Sequence, residues 1–414
     1  MVAGSFSLEA TNATVRALGS YSSEIMLTAF AIENYRSIRS LRIPLGPLTL
    51  ITGGNGCGKS NLYRALRLLA ETAQGGVVTA LAQEGGLLST MWAGPDEITA
   101  GMRRGEVAVQ GTGRNRHSRL KLGFTGEPFS YAISLGMPEP VPRSVFNLDP
   151  EVKRESIWSS SRWRPAAELV SRQGPLVKSR DGRGFRVVSQ HLPAYDSMFD
   201  QVADIQATPE LFAIREAIRR WRFYDHFRTD PGAPARQAHI GSRTPVLHHD
   251  GRDLAAALQT IREVGDAQGL DDAIHRAFPG SRLNIEISTD NRFTLSLLQP
   301  GMLRPLTAAE LSDGTLRYLL LTAALLTPRP PNLMVLNEPE TSLHPDLLPA
   351  LGQLIINASA HSQVWVISHA PRLIAALEKS SDCHSIQLHK PHGETEVLGQ
   401  SMLDEPPWSW PAGL

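Results

Sequence analysis

Eight consecutive residues, Gly53-Gly54-Asn55-Gly56-Cys57-Gly58-Lys59-Ser60, restrict the folds open to this chain more than any other feature. They fit the pattern of a glycine, four residues, then Gly-Lys-Ser, and they stand in the setting that pattern requires. Leu48-Thr49-Leu50-Ile51-Thr52 before them reads as a buried strand, and Leu62, Ala65, Leu66, Leu69 and Ala70 after them recur at helical spacing. In such a strand, glycine loop and helix, backbone N–H groups converge on a triphosphate and the helix adds its unpaired first amides. Lys59 would place its charge at the β and γ phosphates, and Ser60 is placed to ligate magnesium. The candidate phosphate-binding set is Gly53, Asn55, Gly56, Gly58, Lys59, Ser60 and Asn61. Cys57 reads as a small residue that fits the loop; redox sensing by a thiol near a helix N-terminus is the alternative.

A second polar cluster lies downstream. Leu333-Met334-Val335-Leu336 is an apolar strand that ends in Asn337-Glu338-Pro339-Glu340, the edge of an α/β sheet where catalytic groups are usually found. Glu338 is the candidate general base that polarises an attacking water. Leu311-Ser312-Asp313-Gly314-Thr315 opens an apolar helix and, taken alone, reads as a simple N-cap. Val364-Trp365-Val366-Ile367-Ser368 is another buried strand, leading to His369, an imidazole that either bonds a γ phosphate or is a satisfied core histidine. Short apolar strands covered by helices imply a mixed or parallel sheet buried on both faces.

With 42% apolar residues in 414, the chain can bury a sizeable core spread over two or three lobes. Lys plus Arg is 41 and Asp plus Glu is 41, so bulk charge attracts neither nucleic acid nor membrane. Cys57 and Cys383 are too few for a disulfide framework. No apolar run approaches the roughly 18 residues of a membrane helix. The first 25 residues lack the basic start and apolar core of a secretory signal, so a cytoplasmic protein is expected. Residues 1–25 read as a flexible extension or a start-site artefact, with Met26 opening the first structured segment. Residues 106–135 alternate like antiparallel strands, whereas 136–200 show little sustained period and read as irregular or short strands such as Gly184-Phe185-Arg186-Val187-Val188. Helices are expected at 209–222 and at 253–277 with a break near Gly269, and a hairpin over 282–298 that turns at Asp290-Asn291.

These motifs, in this order, resemble the ABC-type ATPases, within them the RecF-like, SMC-like and overcoming-lysogenization-defect (OLD)-like branch of predicted AAA-family ATPases. The resemblance is carried by Ile32-Glu33-Asn34-Tyr35-Arg36-Ser37-Ile38, the glycine loop, Leu311-Ser312-Asp313-Gly314-Thr315 as signature, Asn337-Glu338-Pro339-Glu340 with Leu343-His344-Pro345, and Ser368-His369-Ala370-Pro371. It covers about 27–100 and 300–380. It implies an α/β P-loop NTPase of ABC type, a mixed sheet covered by helices, with an inserted α+β lid lobe. The implied organisation is an extension (1–25), the N-terminal half of the head (26–135), the lid (136–300), the C-terminal half (301–390) and a tail (391–414).

The resemblance further implies an ATP-dependent, head-to-tail homodimer that sandwiches two ATP molecules with magnesium. Ser312 and the Gly314 amide would contact the γ phosphate of ATP held by Gly58, Lys59 and Ser60 of the partner subunit. His369 would be the switch histidine, and Leu343-His344-Pro345 would lie at the dimer seam. Gln83, with Gln74 nearby, is the candidate magnesium-sensing glutamine. Asn337 departs from the acidic residue usual at its position, and loss of an outer-shell partner costs about 10–100-fold in metal affinity or activity. The retained Glu338 therefore implies a slow but competent ATPase that uses ATP binding chiefly to dimerise.

The large insertion between Lys59 and Ser312, and a signature reading Ser-Asp-Gly-Thr, argue against a transporter subunit. The insertion is too proline-rich and too poor in heptads for a long coiled coil, and the stretch after His369 is too short for an appended nuclease domain. A stand-alone head with a lid is the expectation. Arg154, Arg162, Arg164 and Arg172 with Trp158 and Trp163, and Arg215, Arg219, Arg220 and Arg222 with Trp221, could track duplex DNA. The alternative is an arginine-rich surface over core tryptophans. His239, His248, His249 and Asp250 fit no metal-ligand spacing. Pro406-Pro407-Trp408-Ser409-Trp410-Pro411 is expected to pack on the head as an extended tail. Two functional classes remain open: an ATPase of DNA maintenance or anti-phage defence, and an ATP-operated switch that controls a separately encoded effector protein without touching DNA.

Overall fold

The structure, a computed structural model, describes residues 25–95, 99–104, 106–107, 118–202, 204–225, 227–401 and 403–414. Apart from Ile25, the expected N-terminal extension lies outside the described residues, as does much of 106–117. The chain divides into two compact units, the first comprising Met1–Leu45, Gly53–Trp221 and Gln387–Leu414, the second Gly46–Thr52 and Arg222–Ile386. Residues 136–300, expected as one lobe, are thereby shared between the two. The reason is strand pairing, which ties the early part of this segment to one sheet and its later part to another.

In the first unit, strands numbered along the chain are β1 (Met26–Tyr35) and β2 (Ile38–Pro44) and, after β3 (Leu48–Gly53), β4 (Leu120–Glu127), β5 (Ser130–Gly136), β6 (Glu151–Trp158), β7 (Glu168–Gln173), β8 (Leu176–Asp181) and β9 (Gly184–Ser189). They form one antiparallel sheet in the order β2-β1-β4-β5-β6-β7-β8-β9. Phe30 pairs with both Ile43 and Phe124, which brings apolar side chains onto a common face. The helix Lys59–Glu71 packs on β1 and β4 through its apolar stripe. The expected tail contact is present: Trp408 packs with Ala31, Ala132 and Trp158, edge-on to Trp158 at 5.8 Å.

Strands β6 to β9 occupy the segment whose sequence shows no clean alternation. In β6 and β7 the cause is charge inside the sheet. Glu155 on β6 and Arg172 on β7 are both fully buried and pair at 2.8 Å. Glu155 also accepts from Tyr131 Oη, Ser197 Oγ and the Met198 amide. Arg172 donates to the carbonyls of Gly174, Pro193 and Asp196. Glu155→Leu would leave that guanidinium buried without its counter-ion, and it is expected to lower the urea-unfolding free energy by about 3–5 kcal/mol. The double substitution with Arg172→Met should recover part of the loss; a single-variant loss below about 1 kcal/mol would contradict the pairing argument.

The second unit opens on β3 and β10 (Arg222–Tyr224). A smaller antiparallel sheet follows, built from β11 (His239–Ile240), β12 (Arg282–Ile287), β13 (Arg292–Leu298) and β14 (Leu306–Thr307). The β12–β13 hairpin turns at Asp290-Asn291, with Asn291 in the left-handed region at φ 59°. The main sheet adds β15 (Leu333–Asn337) and β16 (Gln363–Ile367) in the parallel order β10-β15-β16-β3, with the first half of β17 (Cys383–His389) beside β3. Val335 is level with Trp365, and Val366 with Leu50. These strands are almost wholly apolar because helices cover the sheet. Leu258, Leu320, Leu336, Leu351 and Val366 belong to one buried core. Among the described residues no helix is long and apolar enough to cross a membrane.

Candidate active site

The glycine loop and its helix belong to the first unit. Lys59 is 7% exposed, and its ammonium donates to the carbonyls of Gly53 at 2.6 Å and Gly54 at 3.0 Å. An ammonium has three donors, so one N–H is left for an oxygen anion. The first amides of the helix Lys59–Glu71 lack intrahelical acceptors and attract negative charge. Gly58 must be glycine: its φ is 110°, and a Cβ there would fall 2.1 Å from Thr395 Oγ1.

Thr395 is a residue that sequence reasoning missed. It lies just before β18 (Glu396–Val397), which pairs with the end of β17, and it is fully buried. Its hydroxyl donates to the Cys57 carbonyl at 2.9 Å and hydrogen-bonds Ser37 Oγ at 2.7 Å, while Ser37 Oγ accepts from Asn61 Nδ2 at 2.8 Å. The loop is thus fastened from the β1–β2 turn and from a distant C-terminal residue. Cys57 is buried, as a small packed residue would be. A cavity of about 470 Å³ is lined by Arg36, Ser37, Asn61, Trp92, Lys390 and His392. Gln83 is exposed at the end of the helix Val77–Gln83. Its neighbour Glu84 instead accepts from Tyr35 Oη and from Arg36, both at 2.7 Å. Burial first, then Glu84, pushes the Tyr35 phenol above its usual pKa.

The second unit carries the other cluster. Asn337 ends β15 level with Ile367, and Glu338 follows on left-handed backbone at φ 49°, its amide donating to the Ile367 carbonyl at 2.8 Å. Non-glycine residues held at such angles concentrate at functional sites. His369 Nδ1 is 3.7 Å from Glu338 Oε1 and 3.4 Å from Glu340 Oε1. Glu340 is buried, and its Oε1 accepts from Ser368 Oγ and from the amides of His369 and Ala370, which fastens the His369 loop to the end of β15. Arg317 lies buried beneath and donates to the Glu338 carbonyl at 3.4 Å. Burial lowers its pKa against the opposing pull of Glu340, Asp225 and Glu338.

Ser312 caps the helix Asp313–Leu325, accepting from the Thr315 amide at 3.2 Å. Gly314 has no room for a side chain, since a Cβ would meet the Ser342 carbonyl at 2.8 Å. His344 is exposed and caps the turn Pro345–Leu347. The second unit therefore brings Glu338 and His369 together, and it also holds Asn337, Ser312 and Gly314; Gly53, Asn55, Gly56, Gly58, Lys59, Ser60 and Asn61 share the first.

Most of the arginine–tryptophan patch is not laid out for stacking on bases. Trp158 and Trp221 are core residues, Arg172 is consumed by Glu155, and Arg154 pairs with Glu168. Arg162, Arg164, Arg219 and Arg220 remain exposed. His248, His249 and Asp250 do gather, but His248 already bonds Asp250 at 2.7 Å and the cationic Arg252 at 3.0 Å.

A glycine loop between a strand and a helix in the first unit, and in the second a parallel sheet ending in Asn-Glu-Pro-Glu, are the features of an ABC-type ATPase head. The family described as "AAA domain, putative AbiEii toxin, Type IV TA system" matches residues 48–375, and the chain belongs to this family. A curated relative, the OLD nuclease of Thermus scotoductus, is 43% identical over 44 residues, which are 11% of this chain and only 8% of that protein. The SMC head domain from Thermotoga maritima superposes with a TM-score of 0.42 at 14% identity, covering 91% of this chain and 100% of that one. A Smc head with an extended coiled coil, bound to the C-terminal domain of ScpA derived from Pyrococcus furiosus, gives 0.47 at 11% identity, covering 92% and 97%.

Proposed function

We propose that this chain is a magnesium-dependent ATPase that works as an ATP-sandwich homodimer in the cytoplasm, in DNA maintenance or anti-phage defence. The observation that carries the reading is the hold on Glu338: a carboxylate on left-handed backbone at a parallel strand's end, next to His369. In this reading Lys59 and the amides of Gly56, Gly58 and Ser60 bind the phosphates, with Gly53, Asn55 and Asn61 shaping the loop, and the 470 Å³ cavity takes the nucleoside end. Glu338 accepts a proton from the attacking water. His369, steered by Glu340, orients toward the γ phosphate. Ser312 and the Gly314 amide serve the ATP of the partner subunit.

A hard cation takes oxygen donors; in this reading the Ser60 hydroxyl would offer one, and the Asn337 side-chain carbonyl and Gln83 are the further candidates. Bound there, magnesium would neutralise charge on the phosphates. Asn337 contributes no charge of its own, so Asn337→Asp is expected to raise turnover at limiting magnesium by about 10–100-fold. A magnesium titration superposable on wild type would contradict its assignment.

Burial of Trp158, Trp221 and Arg172 favours the second reading, an ATP-operated switch acting on a separately encoded effector without direct DNA contact. ATP turnover with and without duplex DNA discriminates between them. Stimulation that fades steeply with salt would support DNA action, and unchanged turnover would support the switch.

A further inference from the structure

We propose that Arg236 is a positioning residue for the signature segment, holding Ser312 and Gly314 in the orientation that serves the other subunit's ATP; this rests on the sandwich reading above. Arg236 ends the short turn Pro234–Arg236, and its side chain is 7% exposed. Every nitrogen of the guanidinium is engaged. Nε donates to the Thr229 carbonyl at 2.8 Å. Nη1 donates to the carbonyls of Ala308 at 2.8 Å, Ala309 at 3.2 Å and Leu311 at 2.7 Å, and Nη2 to Asp313 Oδ1 at 2.7 Å.

Three of these five acceptors are the backbone carbonyls that lead into Ser312, and a fourth, Asp313, is the side chain immediately after it. The other ties of the segment do not reach Ser312 itself: the Ala308 amide bonds the Leu295 carbonyl, Glu310 bonds back to Thr307 and pairs with Arg304, and Ala308 and Leu311 pack in the core. A rigid planar fork can gather carbonyls spread over four residues together with a carboxylate, and a lysine ammonium cannot match that geometry. Gly314 has room for no side chain, since a Cβ would meet the Ser342 carbonyl at 2.8 Å, so the segment is closely packed on that side as well. Glu338 is held by different groups, the Ile367 carbonyl and Arg317, so loss of Arg236 should spare the chain's own general base.

The test is complementation in mixed dimers. In a head-to-tail sandwich each ATP uses the glycine loop and Glu338 of one chain and the signature of the other. Lys59→Ala and Arg236→Gln chains, each inactive alone, should together form dimers with one intact site, and turnover should rise about 10-fold over either variant. Lys59→Ala mixed with Glu338→Gln should stay inactive, because both lesions fall in the same half-site. Arg236→Lys should behave like Arg236→Gln.

Lys59→Ala mixed with Ser312→Arg is the control. If it fails to complement, the sandwich reading fails and takes the proposal with it. If it succeeds while Lys59→Ala with Arg236→Gln does not, Arg236 acts in its own half-site or only in folding, and the proposal alone is overturned. Should Arg236→Gln not fold, Asp313→Ala removes one arm of the same fork at a position 60% exposed, and it must show the same pattern in trans.

Discussion

Lys59→Ala lowers kcat/KM for ATP by about 10²–10³-fold, the scale set by removing one preorganised charge or donor aimed at developing negative charge. The magnitude follows from burial. Lys59 is 7% exposed, so no water replaces its ammonium at comparable strength. The loop itself should persist, since the Thr395 hydroxyl still holds the Cys57 carbonyl and Gly58 keeps its left-handed angle. The cost to the fold is confined to the Gly53 and Gly54 carbonyls, which lose their donor, about 1–3 kcal/mol if they stay dry. Calorimetric titration with magnesium-ATP and a thermal melt separate the two effects. Binding should collapse while the melting temperature changes little; retained nanomolar-to-micromolar affinity would contradict the role given to Lys59.

Glu338→Gln reduces kcat by about 10²–10⁴-fold with little change in KM, because it removes the proton acceptor and leaves the phosphate-binding groups in place. Glutamine has nearly the same shape, and the backbone at φ 49° is fixed by the Ile367 carbonyl and by Arg317, which contacts the main chain of residue 338 and not its carboxylate. The His369 loop is anchored on Glu340, so the variant should not displace it. Single-turnover kinetics with labelled ATP check the split: binding at wild-type affinity and a slow chemical step. Unchanged turnover would move the general base elsewhere.

How far the molecule can be read from its sequence depends on how local the determinants are. β3, β15 and β16 are short apolar runs because both faces of their sheet are covered, so composition alone marks them. The loop declares itself through glycines that its backbone angles require. β6 and β7 stay hidden because the sheet buries Glu155 and Arg172 as a pair, and a charged residue reads as outward-facing in any periodicity, whereas β9 coincides with the short strand expected from Gly184 to Val188. The tryptophans of the arginine-rich stretch illustrate the converse, since Trp158 faces the tail residue Trp408, whose sequence separation no local pattern bridges.

The candidate site shows the same division. Glu338 and His369 follow apolar strands, and that adjacency is visible in sequence. The groups that hold them are not. Thr395, Arg236 and Arg317 are common residue types whose partners lie far away along the chain, and nothing in their neighbourhoods sets them apart from other threonines and arginines. The left-handed backbone of Glu338 is likewise invisible, because glutamate carries no preference for it.

Light scattering on Glu338→Gln with and without magnesium-ATP tests the proposal that ATP binding drives two copies of this chain together and hydrolysis releases them. The expected result is a monomer that becomes a stable dimer on adding magnesium-ATP, and no such change when Lys59→Ala or Ser312→Arg is added to the same chain. An unchanged mass in magnesium-ATP, or a dimer that forms equally well with Lys59 or Ser312 replaced, would contradict it.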